Sequence, residues 1–402
     1  MANAGTPSES DSDEFRRLGR RASFVQCYCL SHRRFRFRNI SGRRLVSNGT
    51  TSRLSRRQPY RSQSSRTDRS MRAFVSVSVV CAVITCASVA RSAELQPFAW
   101  PVACELGTTC FIQNYVDHDP SDKTLDFRCG HRTYDGHDGT DIRLPDLDVQ
   151  RKGVEVVAAA SGRVTHARDG MDDVSVKVVG KAAITGRECG NGAVVEHGGG
   201  WSTQYCHMAK GSLRVKPGDS VRSGQALGLV GLSGNTEFPH LHFTVRHDGK
   251  IVDPFAEGAA KGECNSGRSL WQPTQGAVSN YPSTEIINAG FADRAVTMDQ
   301  IETGEVKRSL PGSQSAAIVA YVRAIGLQAD DEQALELRSP EGQVVAEYRA
   351  PKLPRDQAQY FISAGRKRAG STWPVGRYRA TFVLRRQGAE IARRSFQVDI
   401  VQ

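Results

Sequence analysis

The chain has 402 residues, enough for two or three domains, and a formal net charge of +12. The charge is concentrated at the front: residues 1–70 hold 16 Arg, no Lys and 5 acidic residues, a net of +11, which leaves only +1 on the rest. The basicity therefore does not indicate a nucleic-acid partner, and we expect none.

Two segments precede the folded part. Residues 1–70 are rich in Ser and Arg and lack apolar periodicity, so we expect them to be disordered. Residues 71–90 begin with Met71-Arg72, continue as an apolar run and end in Ser88-Val89-Ala90, which is the pattern of a secretory signal peptide. We infer that translation begins at Met71 and that residues 1–70 are not translated. The alternative is a cytoplasmic tail followed by a signal anchor.

Export has consequences for the cysteines. Six remain after residue 90, and an even count in an exported chain predicts disulfides, although six cysteines allow fifteen connectivities. We predict that Cys189 pairs with Cys206, because the two bracket two consecutive predicted strands. The processed protein is expected to be periplasmic or secreted and not integral to the membrane; its oligomeric state stays open.

Residues 94–129 form a lead-in with three cysteines and an acidic stretch, Asp117-His118-Asp119, which we interpret as a solvated loop. From Val154 onward short apolar runs alternate with Gly, Asp or Ser-Gly turns, which predicts an all-β sandwich or barrel. The expected strands cover residues 154–160, 163–168, 174–179, 193–197, 202–207, 226–230 and 242–247.

Residues 258–300 are rich in Gly, Ser, Asn and Pro and are expected to be a linker. Alternation returns in residues 301–402; in 378–384, for example, the even positions are apolar. This predicts a smaller β-sandwich domain, immunoglobulin-like in type, with no catalytic cluster and a default role in binding or spacing.

The candidate chemistry begins at Pro239-His240-Leu241-His242-Phe243. On a strand His240 and His242 point to the same face. Upstream, His137-x-x-x-Asp141 lies in a glycine-rich loop that leads into a strand. Two imidazoles and one carboxylate form a three-ligand set that leaves a fourth tetrahedral position for water, as in catalytic zinc sites. For the His-x-His pair alone, the alternative is two surface histidines on an edge strand.

Six ordered stretches resemble the zinc endopeptidases of the lysostaphin and LytM type, which cut peptidoglycan cross-links. The resemblance covers residues 130–257, about a third of the chain. The matching stretches are His137-x-x-x-Asp141-Ile142, Val194-Val195-Glu196-His197-Gly198, Tyr205-Cys206-His207, Gly218-Asp219-x-Val221, Gly224-Gln225-Ala226-Leu227-Gly228 and Pro239-His240-Leu241-His242-Phe243.

The resemblance implies a role for each of five residues. His137, Asp141 and His242 would bind a zinc ion (Zn2+), and His207 and His240 would be the two catalytic histidines that do not bind it. One histidine would act as general base towards the water and the other would hydrogen-bond the oxyanion, but their order stays open.

The resemblance also implies a compact antiparallel β barrel-sandwich, similar to a duplicated hybrid motif, with the zinc at one end of a groove. The implied activity is zinc-dependent hydrolysis of peptidoglycan peptide cross-links; in a periplasmic setting these would be D-alanyl-meso-diaminopimelate bonds. The alternatives are a non-catalytic peptidoglycan-binding or amidase-activating module and a secreted protease that cuts glycine-rich proteins. The chain departs from the family pattern at Glu237-Phe238-Pro239, where a Ser/Thr-Gly-Pro run is usual.

The remaining histidines have no partner at ligand spacing, and we expect structural or surface roles for His118, His131, His166, His197 and His247. For Tyr205, both a hydrogen bond to the substrate and packing remain open. Because the sandwich carries no chemistry of its own, a chain that ends near Gly262 is expected to cleave a soluble peptide still.

Overall fold

The structure is a computed structural model that describes residues 97–273 and 280–402; the predicted untranslated segment and signal peptide lie outside these residues. The described residues belong to one compact unit. Within them strands predominate and the helices are short, which confirms the all-β prediction. None of the helices in this part of the chain is long and apolar enough to cross a membrane.

Residues 97–273, the amino-terminal half of the described chain, are built around one large antiparallel sheet. Its strands follow the order β1-β2-β9-β6-β5-β4-β7, β10 pairs with β9, and β3 and β8 form a separate ribbon. Neither sheet closes into a barrel within the described residues. The elements are β1 Phe111–Asn114, β2 Thr140–Arg143, α1 Leu147–Lys152, β3 Glu155–Val157, β4 Gly162–Arg168, α2 Val176–Val179, α3 Lys181–Ile184, β5 Asn191–Gly198, β6 Trp201–Met208, β7 Ser220–Val221, β8 Ala226–Leu229, β9 His240–His247 and β10 Lys250–Val252.

Alternation along β9 determines which face of the sheet carries chemistry. Leu241, Phe243 and Val245 belong to the main hydrophobic core, where the Phe243 ring packs 5.8 Å from Trp271. His240 and His242 alternate with these residues, so their side chains point to the opposite face. Burial of the apolar face therefore fixes the register that presents both histidines together.

Three disulfides brace the amino-terminal half: Cys104–Cys110, Cys129–Cys264 and Cys189–Cys206. The predicted Cys189–Cys206 pair is confirmed. Cys189 lies just before β5 and Cys206 lies on β6, so the bond closes a loop of 17 residues around the hairpin.

The second part, which we call the sandwich, is formed by residues 285–402. One sheet has the order β11-β12-β15 and the other β14-β13-β16-β17. On β16 the Tyr378 hydroxyl donates to the Pro374 carbonyl four residues upstream, as in the tyrosine corner of immunoglobulin-like sandwiches. The elements are β11 Glu285–Ala292, α4 Met298–Thr303, a 3-10 helix Glu305–Arg308, β12 Ala317–Leu327, β13 Glu332–Arg338, β14 Val344–Arg349, β15 Gln357–Lys367, β16 Gly376–Arg386 and β17 Ala389–Ile400.

Two stretches differ from the sequence prediction. Residues 174–179 were expected to be a strand, but α2 occupies Val176–Val179, with the Ser175 side chain accepting from the Lys177 amide at its start. The valines there follow strand propensity, but no neighbouring strand pairs with them, and propensity yields to context. The expected linker contains β11, which pairs along its length with β12; Asn288 and Gly290 dilute its apolar pattern.

Candidate metal centre and active site

His137, Asp141 and His242 converge at the junction of β2 and β9. Asp141 and His242 are direct register partners, and His137 lies in the loop that enters β2. His137 Nε2 lies 3.2 Å from both His242 Nδ1 and Asp141 Oδ1, and the last two atoms are 2.9 Å apart. The edges of a tetrahedral zinc site with bonds of about 2.0–2.1 Å are about 3.3 Å long. The donor set therefore fits zinc in both chemistry and spacing.

Each of these side chains is oriented by a second partner. His137 Nδ1–H donates to the Tyr115 carbonyl at 2.6 Å, which leaves Nε2 as the ligand atom. His242 Nε2–H donates to Asp138 Oδ1 at 3.1 Å, which leaves Nδ1. The Asn114 side-chain amide donates to Asp141 Oδ2, the carboxylate oxygen that does not face the two histidines, at 2.9 Å. Such partners fix the tautomer and the direction of a metal ligand before the metal binds.

The electrostatics of this cluster favour positive charge. Burial opposes ionisation of Asp141, yet His137 and His240 outweigh it and hold the pKa of that carboxyl well below its usual range. Burial likewise opposes charging of His242, but its bonds to Asp138 and Asp141 raise the pKa of His242 to about 9. The two carboxylates thus stabilise either a proton or a metal cation here.

His207 and His240 lie beside the cluster with their rings 4.7 Å apart. His207 Nδ1–H donates to the Ser233 carbonyl at 2.8 Å and His240 Nδ1–H donates to the Phe238 carbonyl at 3.0 Å, so each ring keeps Nε2 available. His240 Nε2 faces Asp141 Oδ1 at 3.3 Å. Burial, reinforced by His240 and His242, holds the pKa of His207 well below its usual value, so that this ring is neutral at neutral pH.

The backbone of His207 is strained. Its φ of +63° lies in the left-handed region that non-glycine residues seldom occupy. The conformation is held by the His207 amide, which donates to the Cys189 carbonyl at 2.8 Å, and by the Gly231 amide, which donates to the His207 carbonyl at 3.0 Å. The Cys189–Cys206 disulfide therefore joins the two residues next to this strained position.

The other histidines of the described residues lie apart from the cluster, each with its own surroundings. His118 bonds buried Asp253, His131 bonds Asp356, His197 bonds Thr203, His247 stacks on Trp201 and His166 is exposed. Tyr205 is fully buried and its hydroxyl accepts from the Ala159 amide at 2.8 Å, which favours packing over contact with a substrate.

An open cavity of about 510 Å³ borders His137 and Asp138. Carboxylates and lysines line it together, including Asp117, Asp135 and Lys250.

Sequence reasoning missed the residues that orient the ligands. Asp138 was within reach, since it is a carboxylate inside the His137-x-x-x-Asp141 motif. Asn114 gives no local signal, because it meets Asp141 only through the pairing of β1 with β2. The Phe238 carbonyl was likewise hidden, because backbone groups leave no trace in a motif.

Comparisons with known proteins find a family match within the amino-terminal half, residues 97–273, which we therefore call the peptidase half. Residues 135–254 match the model of peptidase family M23. This segment is similar to M23 peptidase domains. The match confirms the resemblance to lysostaphin and LytM, and all five candidate residues lie within its bounds.

Individual relatives match the sequence of this chain only over short stretches. Cell division protein DipM of Caulobacter vibrioides is 32% identical over 124 residues, which cover 29% of this chain and 17% of DipM. Peptidoglycan DD-endopeptidase ShyA of Vibrio cholerae is 39% identical over 64 residues, covering 16% of this chain and 14% of ShyA. The chain thus spans less than a fifth of either relative. A solved zinc-containing peptidase of Vibrio cholerae is 26% identical and covers 35% of this chain and 38% of its own, with a TM-score of 0.23.

Proposed function

We propose that the protein is a zinc-dependent endopeptidase that hydrolyses peptide cross-links of bacterial peptidoglycan. The observation that carries the proposal is the convergence of His137, Asp141 and His242 at tetrahedral spacing, with two oriented imidazoles beside them. The M23 match and the endopeptidase names of relatives such as ShyA support the substrate class.

The geometry supports a division of roles among the five residues. His137 Nε2, Asp141 Oδ1 and His242 Nδ1 would hold the zinc, which when bound supplies a Lewis acid and lowers the pKa of water towards 7. His207 is neutral and keeps Nε2 available, so it is suited to take a proton and pass it to the leaving amine. His240 lies beside His207, with its Nε2 atom 3.3 Å from Asp141 Oδ1, and would be suited to hydrogen-bond the carbonyl oxygen that becomes the oxyanion. The two histidines are also able to exchange these roles.

The proposed compartment is the periplasm or the exterior, where the three disulfides are stable. The proposed bond is D-alanyl-meso-diaminopimelate. A non-catalytic binding module is less consistent with the site, because all five residues are present and oriented. A protease for glycine-rich proteins would use the same site and differ only in substrate.

The test is digestion of purified sacculi by residues 91–402, with and without a zinc chelator, followed by mass spectrometry of the released peptides. We expect diaminopimelate-linked dimers to fall to monomers, and the chelator to stop this. A His137→Ala chain serves as the control for contaminating hydrolases. Binding to sacculi without any cleavage would favour the module, and release of glycine peptides alone would favour the other protease.

A further inference from the structure

Arg143 occupies the face of the sheet that carries the candidate site. It ends β2, two residues after Asp141, so both side chains point the same way. Its direct register partner on β9 is His240. A guanidinium at this position would be expected to reach solvent, yet Arg143 is completely buried.

The groups that bury Arg143 come partly from the sandwich. Glu302 on α4 accepts from Arg143 Nη2 at 2.5 Å, and the Gln359 side chain on β15 accepts from Nη1 at 3.0 Å. From the peptidase half, Gln113 accepts from Nη1 at 2.9 Å, and the guanidinium lies 4.1 Å above the Phe238 ring. Residues of the sandwich thus cover one end of the sheet face that carries the candidate site.

Phe238 connects this buried arginine to His240. Its ring lies 4.8 Å from the His240 ring, and its carbonyl accepts the His240 Nδ1–H bond at 3.0 Å. The same carbonyl accepts from the Thr236 hydroxyl at 2.7 Å. Glu302, Arg143, Phe238 and His240 therefore form a continuous series of contacts, which we call the Glu302 column. Phe238 is also one of the two residues, with Glu237, at which the chain departs from the usual Ser/Thr-Gly-Pro run.

Glu302 is the anion on which this arrangement depends. Its Oε2 atom accepts from both Arg143 and Arg323, and each of these guanidinium groups is fully buried. Without Glu302, both buried guanidinium groups would lose the carboxylate that they share, and we expect Arg143 to shift away from the Phe238 ring.

We propose that Glu302 is a positioning residue for His240, acting through Arg143 and Phe238, and that the sandwich is therefore part of the catalytic unit. The inference rests on the proposed function, since it concerns a histidine of that site. It differs from the sequence expectation, in which the sandwich only binds or spaces.

The kinetic test compares full-length Glu302→Gln and Arg143→Met, alone and combined, on a soluble cross-linked peptide. Exposed Glu305, in the 3-10 helix three residues on, supplies the matched control Glu305→Gln. We expect kcat to fall about tenfold or more in each single variant with little change in KM and in bound zinc, because misplacing a catalytic group is costly. The double variant should be no slower than the slower single one. The inference would be overturned if the kcat losses of the two single variants multiplied in the double variant, or if Glu302→Gln kept full activity.

A second measurement does not depend on activity. In 1H–15N spectra of histidine rings, Glu302→Gln should move the His240 signals and leave those of His118 in place, because His118 bonds Asp253 and Glu263 outside the column. Movement of both signals would indicate general destabilisation and count against positioning. If the native chain cleaves no peptide while the His240 signals still move, the proposed function fails and the column stands. If the native chain cleaves the peptide but Glu302→Gln changes neither kcat nor the His240 signals, the proposed function stands and the positioning role of Glu302 fails.

Discussion

His137 and His207 illustrate how two histidines of one site come to different roles. His137 offers Nε2 within 3.2 Å of two other donor atoms, whereas His207 lies outside that triangle, with its ring 5.9 Å from that of His242. We expect His137→Ala to lose bound zinc and activity together. His207→Ala should keep nearly stoichiometric zinc and lose activity by about 10²-fold or more, as for loss of a general base or oxyanion donor.

Zinc content and hydrolysis rate, measured on the same preparations, check this assignment, with His240→Ala as a third variant. Equal zinc loss from His207→Ala and His137→Ala would mean that the ligand set is wrong. Full activity in all three variants would remove the catalytic interpretation of the site.

Asp138 permits a finer prediction at the same scale. It accepts from His242 Nε2–H, and its loop neighbour Asp135 is exposed and borders the same cavity. Asp138→Ala should weaken zinc affinity about tenfold, because loss of a carboxylate that orients a ligating histidine typically has that effect. Asp135→Ala is the charge-matched control and should bind zinc normally. Competition with a chromophoric chelator measures both, and equal affinities would show that His242 does not need Asp138.

At the scale of elements, strands that bury one face were predictable and their partners were not. The alternation around Leu241 and Phe243 is enough, from the sequence alone, to locate β9 and to put His240 and His242 on one face. The valines of 174–179 show the same β-branched character yet form α2, because strand formation needs a partner that the sequence does not name. Long-range pairing is also why Asn114 and Glu302 escaped the sequence analysis.

The hairpin of β5 and β6 provides a prediction about stability. Its disulfide closes 17 residues beside the strained His207, whereas Cys104–Cys110 closes only 6. In the chain-entropy model the paired change Cys189→Ser/Cys206→Ser should lower the free energy of unfolding by about 3 kcal/mol, and Cys104→Ser/Cys110→Ser by about 2 kcal/mol. Urea unfolding of both variants gives the comparison. A larger loss from the shorter loop would show that packing around Cys104, not loop length, governs these bonds.

At the scale of the whole molecule, the peptidase half and the sandwich share apolar and polar contacts. Phe111 of β1 packs with Ile287 and Ile325 of the sandwich in a cluster of its own. Arg132 pairs with Glu285 at 3.0 Å and, like Arg143, is buried. These contacts bury charged side chains and pair them across the two parts. Separating the parts would therefore expose those charges and change their surroundings in the peptidase half.

The shared contacts change the expected behaviour of a truncated chain. Ending near Gly262 removes Trp271 from the core as well as Glu302 and Gln359 from Arg143, so a fairer division keeps residues 97–273 together. We expect residues 97–273 alone to cleave a soluble peptide at least about tenfold more slowly than the intact chain, because His240 is no longer braced. Adding residues 280–402 as a separate chain should restore the rate in a saturable way, and the same piece with Glu302→Gln should not. Circular dichroism establishes that each piece is folded before the rates are compared. Full activity of residues 97–273 without the second piece would return the sandwich to a role in binding or spacing.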